Sequence, residues 1–375
     1  MFGSLRFLLA YLVILSHLVG TEYVAHFGFY AVRGFFVISG LMMTAALNEV
    51  YGFDGLRFWT NRALRLLPPY YFVCALTLIA ITIAPDQAAE YLKFWRRLPD
   101  ANDLLINLAV LPLQLPYGSF RFIPPFWSVA IEIDMYLLLF LVVSRRMSWA
   151  LIALVAGLTY QLACDYDALN WGLTYFTAPS AVFPFAVGAV LYFLRRSGRV
   201  ASPLAAGCAF AAWLANMLAG GSVFPTSYIF GWGYLVDTVC VGVVVSGLSG
   251  ISSHRFGPLA ERIDRMLGEW SYFAFLVHWL AGFLVAGILL DGERRGWTLL
   301  LGVTPLVLLA SAAFAILNRK FVEPLRSRVR RPYGRLRSTA SAAVPNEAWR
   351  GPGDAERSTV HPARENNVAG KLADA

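Results

Sequence analysis

The apolar segment RFLLAYLVILSH, residues 6–17, begins with an arginine and ends with a histidine, although its composition is that of a membrane span. Eleven helical residues rise about 16 Å and turn through about 1100°, so Arg6 and His17 lie on one face of a helix. Ionisable side chains inside a span usually face a cavity and mark a pathway or a site. The competing interpretation is an Arg6 that reaches the membrane interface and a His17 that is hydrogen-bonded between helices. The spacing alone leaves both interpretations open.

A pair of arginines begins another apolar segment. In FWTNRALRLLPPYY, Arg62 and Arg65 are three residues apart and therefore share a helix face. Guanidinium groups bind phosphates through two parallel hydrogen bonds, so this pair suits a phosphate clamp. Positive charge at the border of a span is also ordinary topology charge, which is the competing interpretation.

A carboxylate and a second histidine lie in later spans. In FWSVAIEIDMYLLLF, Glu132 is about one and a half turns from the outer end, with Ser128 and Tyr136 on its face. A carboxyl group at this depth is costly and suits a general base, whereas Asp134 points the other way. His278, in SYFAFLVHWL, is by itself more often structural than catalytic. The residues alone therefore predict a cationic cytoplasmic mouth, an imidazole inside the membrane and a carboxylate near the outer side.

The composition excludes an ordinary soluble domain. The 375 residues are 58% hydrophobic and only 14% charged, whereas soluble domains are near a quarter charged. The net charge of +8 comes from basic residues in short loops between apolar runs, which is a topology signal and predicts no nucleic-acid partner. The four cysteines are far apart without paired spacing, which predicts neither a metal site nor a disulfide framework.

The apolar runs predict an all-α polytopic membrane protein with about ten transmembrane helices. These are residues 5–20, 28–47, 67–84, 127–144, 149–164, 178–194, 203–219, 231–249, 270–290 and 297–317. An even number places both termini on one side, and the excess of arginines in the loops on that side predicts that both are cytoplasmic. Residues 85–126 form a long outer loop whose apolar stretch, 104–115, is expected to be re-entrant or interfacial. We expect a transmembrane domain over residues 1–325 and a basic, then disordered, cytoplasmic tail over residues 326–375.

These stretches together resemble the acyltransferase-3 family of integral-membrane acyltransferases, from Arg6 to about Arg326. The first and third spans match its arginine–ten residues–histidine and RxxR elements, and AVRGFFVISGL (31–41) is similar to its GVxxFFxxSGF. The family element WSLxxExxFY is matched by Trp127, Ser128, Glu132 and Tyr136. The element SYxxYLxHW is matched by Ser271, Tyr272, His278 and Trp279, and the closing ExP element is matched by Glu323 and Pro324. The substitutions leave the ionisable groups intact, so the resemblance implies an active enzyme.

The resemblance implies an O-acyltransferase that moves an acyl group, commonly acetyl, from cytoplasmic acyl-CoA to a hydroxyl of an extracytoplasmic glycan such as an exopolysaccharide or O-antigen. It implies a multi-pass protein of the cell (inner or plasma) membrane, with acyl-CoA as a substrate and no permanently bound cofactor. Direct transfer and transfer through an acyl-enzyme both remain open. The implied catalytic residues are His17 and Glu132; the implied CoA-binding residues are Arg6, Arg62 and Arg65; and the implied supporting residues are Ser128, Tyr136, Arg33, Tyr272 and His278.

Other functions remain open on the sequence alone. The acceptor is a glycan or lipid-linked sugar in one interpretation and a small molecule such as a macrolide in another. Some relatives carry a fused hydrolase-like domain, and we expect this chain to work alone or with a separate hydrolase-like partner. A transporter without group transfer is the alternative from another class, and inverted repeats of broken helices, which would favour it, are not detected.

Overall fold

A computed structural model describes residues 2–20, 22–114, 120–165, 171–223, 232–251, 256–290 and 292–330. All regular structure in these ranges is helical. The predicted tail beyond residue 330 lies outside the described residues. The α-helices are α1 (Phe2–Val19), α2 (Glu22–Ala45), α3 (Gly55–Ile83), α4 (Pro85–Tyr91), α5 (Ala101–Ala109), α6 (Trp127–Leu141), α7 (Met147–Asp165), α8 (Trp171–Tyr175), α9 (Ala178–Arg196), α10 (Pro203–Val223), α11 (Trp232–Ser249), α12 (Gly257–Leu289), α13 (Trp297–Leu317) and α14 (Glu323–Val329).

The predicted membrane fold is confirmed. Within the described ranges, nine helical segments are long and apolar enough to cross a bilayer, and a shorter apolar stretch, Pro203–Ala219, lies within α10. All ten predicted spans therefore coincide with helices. Below, the near face is the membrane side on which α1 begins and α2 ends, and the far face is the opposite side.

Glycines bring the site-bearing helices close together. A methyl group at Gly3 of α1 would lie 1.7 Å from the carbonyl oxygen of Asp264 in α12, and one at Gly268 would lie 2.9 Å from Gly3 Cα. The Asp264 carboxylate also accepts hydrogen bonds from the Gly3 and Ser4 backbone N–H groups, at 3.2 and 2.8 Å, and so caps the start of α1. Small residues permit this approach because no side chain separates the backbones. As a result α1 and α12 run side by side from the near face.

The loop between α3 and α6 folds back into the helix bundle. Tyr70 and Tyr71, about 18 Å below the far end of α3, donate hydrogen bonds to the carbonyl oxygens of Asn107 and Leu108, at 3.0 and 2.8 Å. Deeper still, Gln114 Nε2 donates to Asp134 Oδ2 of α6 at 2.7 Å. The loop therefore returns into the helix bundle, where Asp134 anchors it, and it is called the re-entrant segment below.

This re-entrant segment covers the first turns of α6. Every residue from 120 to 131 is buried, and the ring of Phe126 stacks on Tyr70 with centroids 3.8 Å apart. The helix α6 thus begins inside the protein instead of at the far surface. Its polar residues consequently lie deeper than their distance from the helix start indicates.

Candidate active site

The two membrane histidines meet. His17 Nδ1 lies 3.0 Å from His278 Nε2, and the two rings are nearly parallel, at 9°, with centroids 5.2 Å apart. His278 is completely buried, whereas His17 is partly exposed. His17 is therefore the accessible member of the pair, and His278 supports it.

The hydrogen bonds fix which nitrogen atoms carry protons. His278 Nδ1 lies 2.8 Å from the carbonyl oxygen of Phe275, which can only accept, so this nitrogen carries a proton. In a neutral imidazole the other nitrogen then accepts, so His17 Nδ1 donates to His278 Nε2. His17 Nε2 is left with a lone pair. This is the tautomer a general base requires, and a buried chain of acceptors imposes it.

Polar and aromatic groups surround His17 on its far-face side. The Trp279 ring lies 5.3 Å from the His17 ring, and the Arg295 guanidinium lies 4.8 Å above the Trp279 ring. Arg295 is brought here because the Gly296 backbone N–H donates to the carbonyl oxygen of Leu18, at 3.0 Å. Burial lowers the pKa of Arg295 from its usual value, yet a guanidinium stays charged at neutral pH. Among the described residues the buried Trp279 Nε1 has no hydrogen-bond partner.

The three predicted phosphate-binding arginines also converge. Arg6 of α1 interacts electrostatically with Arg62 of α3, and Arg65 interacts with both. Arg62 is held in place by hydrogen bonds to Met43 Sδ, at 3.3 Å, and to Asn61 Oδ1, at 2.9 Å. Among the described residues no hydrogen bond joins the Arg6 or Arg65 side chain to a partner. The guanidinium groups therefore retain donors that a phosphate would accept.

Glu132 lies in this arginine cluster. Its carboxylate interacts with Arg6, and Oε1 accepts hydrogen bonds from Ser39 at 2.6 Å and from Tyr136 at 2.5 Å. Tyr272 of α12 completes this side, because it interacts with Glu132 and Arg65 and donates to the carbonyl oxygen of Leu66 at 2.8 Å. Tyr136 and Tyr272 thus both lie beside Glu132.

Three placements differ from the sequence prediction, and two of them are on α6. The carboxylate expected near the outer side, apart from the cationic mouth, lies instead beside Arg6, because α6 begins beneath the re-entrant segment. Ser128 shares the α6 face with Glu132 by spacing, but its hydroxyl donates to the carbonyl oxygen of Pro125 at 3.0 Å, within its own helix turn. Ser128 thus shapes the start of α6 and is not hydrogen-bonded to Glu132.

Arg33 belongs to a separate buried cluster between α2, α7 and α11. Its Nη2 donates to Gln161 Oε1 at 2.7 Å, and its guanidinium lies 4.2 Å above the Tyr234 ring. Asp237, one turn from Tyr234, accepts from Trp213 Nε1 at 2.6 Å. Arg33 was predicted to support the site. Its contacts instead join the helices of this separate cluster.

Two site groups, Ser39 and Arg295, were missed by the sequence reasoning, as was the contact between His17 and His278. Ser39 is the serine of the AVRGFFVISGL stretch, so the motif contained a signal for it. The pairing of His17 with His278 and the approach of Arg295 join residues more than 260 positions apart, and no periodicity within one helix reports such contacts. In the ranges described, no group of three or more His, Cys, Asp or Glu residues is placed to hold a metal ion.

Comparison with known proteins identifies the family of the chain. The acyltransferase-3 family, described as an acyltransferase domain, matches residues 3–316. A protein of Komagataeibacter xylinus named as a membrane-bound transacylase, BcsY, is 26% identical over 301 residues, which cover 76% of this chain and 73% of the relative. No solved structure matches significantly. The family match favours group transfer over transport without it, and the chain belongs to the acyltransferase-3 family of membrane acyltransferases.

Proposed function

We propose that the enzyme transfers an acyl group, specifically acetyl, from acyl-CoA to a hydroxyl of an extracytoplasmic glycan. The observation that carries this proposal is the placement of two sites on one face of α1. The near-face arginine cluster suits the phosphates of CoA, and a histidine with a free Nε2 lies about 16 Å further along the helix. A donor whose anionic end and thioester are joined by a long flexible arm suits two such separated sites.

We place the near face in the cytoplasm. The described loops and helix ends on that face contain arginines such as Arg57, Arg145 and Arg195, and this excess supports a cytoplasmic location. Acyl-CoA would then enter beside α1 and α3, and the acceptor would approach His17 from the far side. The membrane is proposed to be the inner or plasma membrane.

The chemistry requires one base and one leaving group. His17 Nε2 removes the proton from the acceptor hydroxyl as the oxygen attacks the thioester carbonyl. A carbon–oxygen bond forms, the carbon–sulfur bond breaks, and the proton on His17 passes to the departing CoA thiolate. His278 stabilises the imidazolium that forms, because its Nε2 accepts a hydrogen bond from His17 Nδ1 throughout. Direct transfer needs no acyl-enzyme, because His17 alone accepts and returns the proton.

Glu132 has a different role in this mechanism from the base predicted from its sequence position. Its carboxylate is already hydrogen-bonded by Ser39 and Tyr136 and lies in the arginine cluster. We propose that it orients the guanidinium groups and lowers their mutual repulsion, since an unpaired cluster of cations inside a membrane is costly.

The test is mass spectrometry of surface glycans from wild-type and deletion strains. The deletion strain should lack one acyl mass, and re-expression of the wild-type protein, but not of His17→Gln at equal membrane abundance, should restore it. An identical set of acyl masses with and without the gene would contradict the glycan acceptor. Purified protein should also release free CoA thiol from acetyl-CoA in the presence of the glycan.

A further inference from the structure

The arginine cluster contains a fourth guanidinium, which comes from the C-terminal end of the described chain. Arg326 of α14 interacts electrostatically with Arg62, and Arg65 interacts with it in turn. Only 7% of Arg326 is exposed. It lies ten residues beyond the end of the family match at residue 316, in a stretch that the sequence assigns to the start of a basic tail.

The helix α14 carries this residue inward from the near face. Residues 318–322 form a wider π-helical turn after α13, and α14 then packs against α3. Arg57 Nε of α3 donates to the carbonyl oxygen of Val329 at 3.2 Å, which fixes the end of α14. Arg326 Nη1 donates to Glu323 Oε2 at 2.6 Å, while its buried Nε has no partner among the described residues.

The charges of this cluster do not balance. The guanidinium groups of the cluster are those of Arg6, Arg62, Arg65 and Arg326, and each interacts electrostatically with at least one of the others. The carboxylates that the described residues place among them are those of Glu132 and Glu323. The four positive charges exceed the two negative charges by two, and Arg330, which shares Glu323 at 4.0 Å, adds one more positive charge at the edge of the cluster. Repulsion between like charges is strong in a low-dielectric interior, so such an excess is retained where an anion binds. If Arg326 only held α14 in place, its hydrogen bond to Glu323 would be sufficient, and it would not need to lie among the other arginines.

We propose that Arg326 is a phosphate-binding residue, brought to the donor site by the packing of α14 on α3. This inference rests on the proposed function, in which the phosphates belong to acyl-CoA. A phosphate on a lipid-linked acceptor has the same chemistry and is distinguished below. Arg326 contributes a planar fork whose free Nε can donate to a phosphate oxygen, alongside Arg62 and Arg65.

The experiment compares Arg326→Gln with Arg328→Gln in the full-length protein. Arg328 lies two residues further along α14, is exposed, and lines an open surface pocket of about 380 Å³ with Leu56, Arg57 and Thr60. Both variants are assayed with acetyl-CoA and with S-acetyl-pantetheine, which has the same thioester but no phosphate. Loss of one charge-assisted hydrogen bond should raise the KM of Arg326→Gln for acetyl-CoA roughly 10- to 100-fold. Its KM for S-acetyl-pantetheine should match that of wild type, and Arg328→Gln should resemble wild type with both donors.

The other outcomes are distinct. Equal losses with both donors would show that Arg326 only holds α14 in place, and would overturn the proposal. An unchanged KM for acetyl-CoA with a raised KM for a phosphate-bearing lipid-linked acceptor would assign the cluster to the acceptor, and would also overturn it. A wild-type enzyme that uses neither donor would instead refute the proposed function. Arg326→Lys should recover only part of the lost acetyl-CoA affinity, since a point charge lacks the fork.

Discussion

The near-face arginine cluster and the far-side histidine pair are built in opposite ways. The cluster gathers four cations around two carboxylates and leaves guanidinium donors without partners. The histidine pair consists of neutral rings whose hydrogen bonds run in one direction from His17 to the carbonyl oxygen of Phe275. One region has an excess of charge and the other has a fixed arrangement of protons.

The difference separates binding from chemistry. Unpaired cations in a membrane interior are stabilised when an anion binds to them, which is the property of a binding site. A histidine whose tautomer is fixed by a buried acceptor is prepared to accept a proton, which is the property of a catalyst. Substitutions in the cluster should therefore change mainly KM for the donor, and substitutions in the pair should change mainly turnover.

The largest effect is expected at His17. His17→Gln keeps a polar side chain but removes the titratable ring, so turnover should fall by about 10²–10⁴, the usual contribution of a general base. Binding of acetyl-CoA should survive, because the arginine cluster is untouched. The measurement is glycan acylation and CoA binding in the same membranes. Substantial acylation by His17→Gln would end the catalytic assignment and erase the contrast between the two regions.

The next effect is expected at His278, which acts through His17. His278→Leu removes the acceptor for His17 Nδ1–H, so turnover should fall about 10- to 100-fold, as for partners that orient a functional histidine. His278→Gln offers a side-chain oxygen as acceptor and should recover part of the loss. The pH profile of turnover should shift in the leucine variant only. A residue needed for packing alone would give equal losses and an unshifted profile in both variants.

Glu132→Gln tests the other region. If the carboxylate orients the arginines, its loss should raise KM for acetyl-CoA by about tenfold or more and reduce turnover less. Asp134→Asn is the matched control: Asp134 is two residues away and contacts Gln114 of the re-entrant segment. A collapse of turnover with unchanged KM in Glu132→Gln would make this residue a base and would merge the two regions into one.

A smaller change is expected when the cluster keeps its charge. Arg62→Lys and Arg65→Lys should raise KM for acetyl-CoA severalfold, since lysine supplies the charge but not the planar fork. Arg62→Ala and Arg65→Ala should raise it further. If both lysine variants equalled wild type, these arginines would be topology charges, and the near-face site would lose its phosphate-binding role.

Sequence reasoning predicted the spans, and the helix faces that several candidate site residues share, for a clear physical reason. Hydrophobic runs and helical spacing are properties of single helices, and they placed Arg6 with His17 and Tyr136 with Glu132 on shared faces. The spacing rule failed for Ser128, because its hydroxyl found a carbonyl acceptor in its own helix turn.

Contacts between different helices could not be predicted from the spacing within single helices. The depth of Glu132 depends on the re-entrant segment that covers the start of α6, and the pairing of His17 with His278 depends on the contact of Gly3 with Gly268. The sequence assigns Arg326 to the start of a basic tail, and the packing of α14 on α3 brings it to the cluster. These features follow from how helices meet, which no period within one helix encodes.

A substitution in the re-entrant segment should disturb the structure without changing binding or catalysis. Its effect on activity should therefore be the smallest. Asp103 is 3% exposed and contacts Arg97 Nη1 at 2.5 Å. Burial acts to raise the pKa of Asp103, but the hydrogen bond from Arg97 and those from the backbone N–H groups of Asp100 and Phe120 outweigh it, so this pKa lies below its usual value. A lowered pKa in the folded state means that the stabilisation is fully present above the ordinary carboxyl pKa of about 3.9 and is lost as the pH falls through the folded value.

Acidification below about pH 4 should therefore release the re-entrant segment while the transmembrane helices persist. The measurement is hydrogen exchange of the α5 amides in wild type and in Asp103→Asn, from neutral to acidic pH. Wild-type protection should fall with acid, whereas the asparagine variant should be less protected at neutral pH and nearly independent of pH. At neutral pH the variant should lower the amount of folded enzyme without changing its KM for acetyl-CoA or the pH profile of turnover. A changed KM would instead mean that the re-entrant segment is part of the arginine cluster's binding function, because α6 transmits its position to Glu132.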